Sequence, residues 1–167
     1  PTTNAAEEKI TALEGSVATM CTASGQSAVF YAMLNILEAG DHFISSSSVY
    51  GGTYNLFAHT FKKMGIEVTF VDQDLPLEEL QKVIRPNTKA VFAETIANPA
   101  LRVLDIEKFA ALAKAAEAPL LIDNTFATPY FCRPIEFGAN VVIHSTSKYL
   151  DGHAIALGGS ITDGGNF

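Results

Sequence analysis

Positive charge is scarce in this 167-residue sequence: eleven Lys and Arg stand against eighteen Asp and Glu, the net charge is −7, and the longest basic run is Lys62-Lys63. Such a surface has little to offer a polyanion, so no nucleic-acid partner is expected. Long apolar runs are scarce too. The longest uncharged stretch, Gly15 to Leu37, is broken by Thr22, Ser24, Gly25, Gln26, Ser27 and Asn35. These are poor residues for a span of roughly 20 lipid-facing positions, and no membrane partner is expected. Only two cysteines occur, Cys21 and Cys132, with no C-x-x-C pair, no N-x-S/T acceptor and no basic-then-apolar leader. The setting expected from this is reduced and cytoplasmic. His42, His59, His144 and His153 are scattered without Cys or carboxylate at ligand spacing, so no metal is expected. The G-x-x-x-x-G-K-[ST] and G-x-G-x-x-G signatures are missing, which removes the simplest nucleotide readings.

What is there is apolar material for one core: 48% of residues are hydrophobic and 17% charged, enough for a single domain and too apolar for disorder. Apolar runs of four to six residues alternate with segments of helical period, which predicts an α/β fold with a mostly parallel sheet flanked by helices. Helices are expected at Asn4–Leu13, with Ile10 and Leu13 as its apolar pair, at Gln26–Leu37, at Gly51–Met64, at Leu77–Ile84 and at Ile106–Ala116 with Asp105 as cap. In the Gly51–Met64 helix the expected apolar face is Leu56, Phe57, Thr60, Phe61 and Met64; in the last it is Phe109, Leu112 and Ala113. Strands are expected at His42–Ser45, Ile66–Val71, Lys89–Glu94 (alternating), Pro119–Asp123 and Asn140–His144, with Gly158–Thr162 running back the other way.

In open α/β sheets, ligands gather at the carboxyl ends of the strands. Asp123 ends the buried run Pro119-Leu120-Leu121-Ile122, and Lys148 lies four residues beyond Val141-Val142-Ile143-His144. Those two residues alone are equally consistent with a structural ion pair. Taken singly, Tyr50 is an ordinary tyrosine and Ser24-Gly25 an ordinary helix cap. Together with the hydroxyls of Ser145, Thr146 and Ser147, they supply an amine, a buried carboxylate, an aromatic plate and a helix N-terminus suited to a phosphate dianion. Pyridoxal phosphate needs that set: a primary amine for its aldehyde, a carboxylate to keep the ring nitrogen protonated, and a flat face to stack on.

Five segments carry a resemblance: Thr22-Ala23-Ser24-Gly25-Gln26-Ser27-Ala28, Val49-Tyr50-Gly51-Gly52-Thr53, Glu94-Thr95-Ile96-Ala97-Asn98-Pro99, Asp123 to Pro129, and His144-Ser145-Thr146-Ser147-Lys148-Tyr149. Over essentially its whole length the chain resembles the large domain of the fold type I (aspartate aminotransferase-like) pyridoxal-phosphate enzymes of cysteine and methionine metabolism, the trans-sulfuration family. Its branch-level likeness is to the O-acetylhomoserine sulfhydrylases of methionine biosynthesis, through Tyr50 to Phe57, Asn98-Pro99-Ala100 with Val103-Leu104-Asp105-Ile106, and Asp163 to Phe167. The cysteine that methionine γ-lyases carry two residues after the stacking tyrosine is Gly52 here. Cystathionine synthases and lyases share the cofactor segments and remain the alternative.

The resemblance implies roles residue by residue. Lys148 bears the cofactor aldehyde, Asp123 pairs with the ring nitrogen, and Tyr50 stacks on the ring and assists proton transfer. Gly25 and Gln26 amides with Ser145 and Ser147 hydroxyls hold the phosphate; Asn98 faces the phenolic oxygen and Thr125 lies near the ring. The implied reaction replaces the acetoxy group of O-acetylhomoserine with sulfide. The family's N-terminal Tyr-x-Arg segment and its C-terminal domain have no counterpart in residues 1–167. The chain is therefore expected to be part of the large domain of a homo-oligomeric subunit, a dimer of dimers, or else a truncated scaffold without activity.

Overall fold

The structure, a computed structural model, describes residues 2–167. A seven-stranded sheet forms its centre: β1 (Ala18–Thr22), β2 (His42–Ser46), β3 (Glu67–Val71), β4 (Thr88–Glu94), β5 (Leu120–Asp123), β6 (Val141–His144) and β7 (Gly159–Asp163). Their order is β1-β7-β6-β5-β4-β2-β3. Strand β7 runs against both of its neighbours, as the sequence predicts, and all other pairings are parallel. Parallel neighbours need crossovers. These are α2 (Gly25–Leu34), α3 (Gly51–Asn55) with the π-helical stretch Leu56–Phe61, α4 (Leu77–Gln81) and α5 (Ile106–Ala115); α1 (Thr2–Glu14) and α6 (Thr128–Phe131) pack at the edges. Among the described residues no helix is long and apolar enough to cross a membrane.

Alternate strand residues build two cores. Phe43, Ala90, Phe92, Leu121 and Ile143 face α2 and the π-helical stretch; Ile44, Val91, Ala93, Leu120 and Ile122 face α4 and α5. The α5 stripe Phe109, Leu112 and Ala113 is buried as predicted, and the Asp105 carboxylate caps that helix by accepting from Lys108 N at 3.0 Å.

Several local expectations fail for identifiable reasons. Strand β1 has no apolar run to announce it, because it is half-exposed and is defined by pairing with β7. In α1, Leu13 is 43% exposed and the buried position at that end is Glu14. Helix α2 stops at Leu34 rather than Leu37, and α4 at Gln81 rather than Ile84. Within Gly51–Met64 the wider π turn, which bonds i to i+5, aligns Thr53, Phe57 and Phe61 in the core and swings Thr60 and Met64 out to solvent. Strand β4 does not alternate: both faces are covered, and Lys89 alone is exposed.

Candidate active site

The residues singled out from the sequence meet along one edge. Strands β2, β4, β5 and β6 are parallel, so Ser46, Glu94, Asp123 and His144 end on the same side of the sheet, where the chain also enters α2 at Ser24. After β6 the chain turns at once: Lys148 N donates to Ser145 O at 3.2 Å, and Gly152 N to Lys148 O at 2.9 Å. That turn presents the Lys148 side chain to solvent. Among the described residues Lys148 forms no ion pair with Asp123 or any other carboxylate, so the purely structural reading of those two residues is not realised.

Ser24 caps α2, its Oγ accepting from Ser27 N at 3.1 Å. The next residue packs on the turn before Lys148 with no room to spare: a Cβ on Gly25 would lie 2.5 Å from Ser145 Cβ. Helix geometry leaves the first-turn amides of Gly25 and Gln26 without intrahelical acceptors. A hydrogen-bonded chain links this end to Asp123. Ser145 N donates to Thr125 Oγ1 at 2.7 Å, and Thr125 N donates to Asp123 Oδ1 at 2.9 Å. Ser147 is placed differently from Ser145. Its hydroxyl donates to Gly158 O at 3.2 Å and accepts from Gly158 N at 2.9 Å, so its hydrogen is committed within the loop.

Tyr50, 53% exposed, stands at the start of α3. Its ring folds over Gly52, where a Cβ would come within 2.6 Å of Tyr50 Cε1 and 3.2 Å of Gln26 Nε2. Gln26 Nε2 donates to Thr53 Oγ1 at 3.3 Å, bridging the start of α2 to α3. Asn98 lies exposed in the turn after β4.

Two buried acids escaped the sequence reading. Glu94 accepts the Tyr50 amide at 2.6 Å and lies in register with Asp123. Burial first, then the Asp123 charge, pushes its carboxyl up to about 8 against the lowering effect of the Tyr50 and Asn98 amides. The signal was available: Glu94 ends a buried strand just as Asp123 does. Burial also raises Asp123, opposed by hydrogen bonds from Thr125 and by the charge of His144. The second acid, Glu14, contacts His144 Nε2 at 2.5 Å in full burial. It falls one residue past the expected end of the first helix.

This edge fits a flat phosphorylated aldehyde. Bare helix-start amides and the Ser145 hydroxyl suit a phosphate, Asp123 suits a protonated ring nitrogen, and an unpaired primary amine lies in the connecting turn. Comparison with known proteins agrees. Residues 1–167 match the family described as Cys/Met metabolism PLP-dependent enzyme, and the chain belongs to that family. It is 51% identical over 167 residues to an O-acetyl-L-homoserine sulfhydrylase of Leptospira meyeri and 48% identical over 168 residues to a homocysteine/cysteine synthase of Saccharomyces cerevisiae. Each match covers 100% of this chain and 38% of the relative, so the chain spans well under half the length of those proteins. A cystathionine gamma-lyase of Bacillus subtilis is 44% identical over 161 residues, 96% of this chain and 42% of that protein. The fold superposes on a Campylobacter jejuni crystal structure assigned as an O-acetylhomoserine (thiol)-lyase, with TM-score 0.96 and 40% identity over 99% of this chain and 40% of that one. That crystal contains N'-pyridoxyl-lysine-5'-monophosphate.

Proposed function

We propose that this chain carries the cofactor site of an enzyme that replaces the acetoxy group of O-acetylhomoserine with sulfide, yielding homocysteine and acetate. The observation that carries the reading is the contact of Gly25 with Ser145, continued through Thr125 to Asp123, on the edge that holds Lys148. The 51% identity with a sulfhydrylase supports the choice of reaction within the family.

Pyridoxal phosphate, when bound, supplies an electron sink that acidifies the substrate's α-hydrogen. Lys148 Nζ would hold the aldehyde carbon and, as a free amine, would take the substrate's α-proton. Asp123 keeps a negative charge at the ring nitrogen and so holds a proton there. Tyr50 lays its ring against the cofactor face, and its phenol assists proton transfer. The Gly25 and Gln26 amides and the Ser145 hydroxyl bind the phosphate, joined by Ser147 once its hydroxyl turns from Gly158. Asn98 orients the phenolic oxygen, and Thr125 keeps Asp123 in place.

Those phosphate ligands are amides and hydroxyls without a full positive charge, and a buried dianion needs one. We take it from a second copy of the subunit, which makes the working form a homo-oligomer. A Cβ at Gly52 would meet the Tyr50 ring at 2.6 Å, so a cysteine there would displace the ring from its present place, which favours the sulfhydrylase over a lyase with cysteine at that position.

The deciding experiment incubates the holoprotein with O-acetylhomoserine and either sulfide or cysteine. Homocysteine and acetate in equal amounts from sulfide are expected. Faster formation of cystathionine from cysteine would replace this reading with the cystathionine-forming one.

A further inference from the structure

Behind the strand ends lies a buried polar cluster that the chemistry above leaves unused. Glu14 ends α1, His144 ends β6, and Asn124 follows Asp123; all three are fully buried. Glu14 Oε1 lies 2.5 Å from His144 Nε2 and accepts from Asn124 Nδ2 at 3.2 Å. Asn124 is held further by its own donations, from Nδ2 to Cys132 O at 2.9 Å and from its backbone N to Ile143 O at 2.8 Å. A single carboxylate oxygen thus ties down the residue after Asp123 and the residue that opens the run to Lys148.

Stability is a weak reason to keep such a group. Taking two such polar groups out of water is costly, and apolar replacements of similar volume are often neutral or stabilising. The position explains more than the packing does. The charge on His144 acts on Asp123 and opposes the rise that burial causes there.

Resting on the cofactor reading above, we infer that Glu14 is a positioning residue for the cofactor ring: acting through His144 and Asn124, it orients the Asp123 carboxylate and keeps it charged toward the ring nitrogen. Helix α1, which contributes no group to the site edge itself, is in this way part of the machinery.

The test uses the pyridoxal-phosphate holoprotein with Glu14→Gln, and a second variant, Glu14→Met with His144→Leu, whose apolar pair keeps the fold. Nitrogen-15 NMR with ring-labelled pyridoxal phosphate reads the protonation of the ring nitrogen, and calorimetry reads melting. Wild type should show a protonated ring nitrogen. Both variants should move that resonance toward neutral pyridine and weaken cofactor binding about tenfold, the equivalent of one pKa unit, while the double variant melts no lower than wild type. Variants that melt lower but keep the wild-type resonance would make the cluster merely structural and overturn the inference. A wild-type protein that takes up no cofactor, or takes it up on a lysine other than Lys148, overturns the functional reading itself and this inference with it.

Discussion

Glu94 and Asp123 end adjacent parallel strands as register partners, so two carboxyl groups face the same small region at the sheet's carboxyl edge. Both cannot be charged there without strong mutual repulsion. Burial raises both, while Asp123 accepts from Thr125 and the charge of His144 opposes its rise. The arrangement therefore favours the proton on Glu94 and the charge on Asp123, the member that the proposed cofactor reading pairs with the ring nitrogen.

This makes Glu94 a source of pH-dependent stability. Its folded pKa of about 8 lies above the ordinary glutamate value of about 4.3. The folded state then holds a proton that the unfolded chain releases, and the contribution is complete below pH about 4 and lost as pH rises through about 8. Urea midpoints measured from pH 5 to 9 should fall for the wild type relative to Glu94→Gln, by on the order of 1 kcal/mol per pH unit. Parallel curves would show that Glu94 is already charged at pH 5.

His42 should act in the opposite sense. Its Nδ1 lies 2.8 Å from Thr88 Oγ1 and its Nε2 2.8 Å from Thr69 Oγ1. Burial first, then the Arg85 charge, lowers it to about 4, with Glu67 opposing. The neutral ring's contribution is complete above pH about 6.5 and lost as pH falls through about 4. Proton NMR should find the His42 ring untitrated at pH 5.5, and a midpoint near 6.5 would refute the buried, doubly bonded placement.

Gly25→Ala should separate α2 from the Lys148 turn. The added Cβ meets Ser145 Cβ at 2.5 Å, and overpacking of this kind costs about 1–3 kcal/mol. Pyridoxal-phosphate affinity should drop by roughly five- to a hundredfold if that cost falls on binding, since 1.4 kcal/mol is a tenfold change. Gly51→Ala is the control, because nothing lies within 4 Å of a Cβ there. Equal binding by the two variants in equilibrium dialysis would argue against a phosphate cradle at Gly25.

Borohydride reduction of the holoprotein followed by peptide mapping should find the phosphopyridoxyl group on Lys148, whose amine is free of ion pairs among the described residues. Label on Lys89 or Lys114 would place the chemistry elsewhere.

Asp123→Asn keeps the shape of the side chain and removes its charge. Cofactor should still bind, while exchange of the substrate α-proton in deuterated water slows by orders of magnitude; near-normal exchange would assign the ring-nitrogen role to another group.

The amino-acid sequence by itself determined the sheet's central strands and the site edge, because β5 and β6 are short apolar runs, Asp123 closes the first of them, and Tyr50 and Lys148 each lie four residues past the end of a strand, β2 and β6. Local order was enough to place those groups at strand ends. Tertiary structure alone decided the rest. Strand β1 exists only through its pairing with β7, and the Thr53-Phe57-Phe61 face only through a π turn that no periodicity announces. Glu94 is legible as an acid at a strand end, but only register sets it against Asp123. Glu14, an acid at a helix end, becomes a buried partner of His144 130 residues away. In each case the deciding energy is a contact between segments distant in the chain, and burial, which turns an ordinary carboxyl into a proton-holding or orienting one, depends on which segments meet.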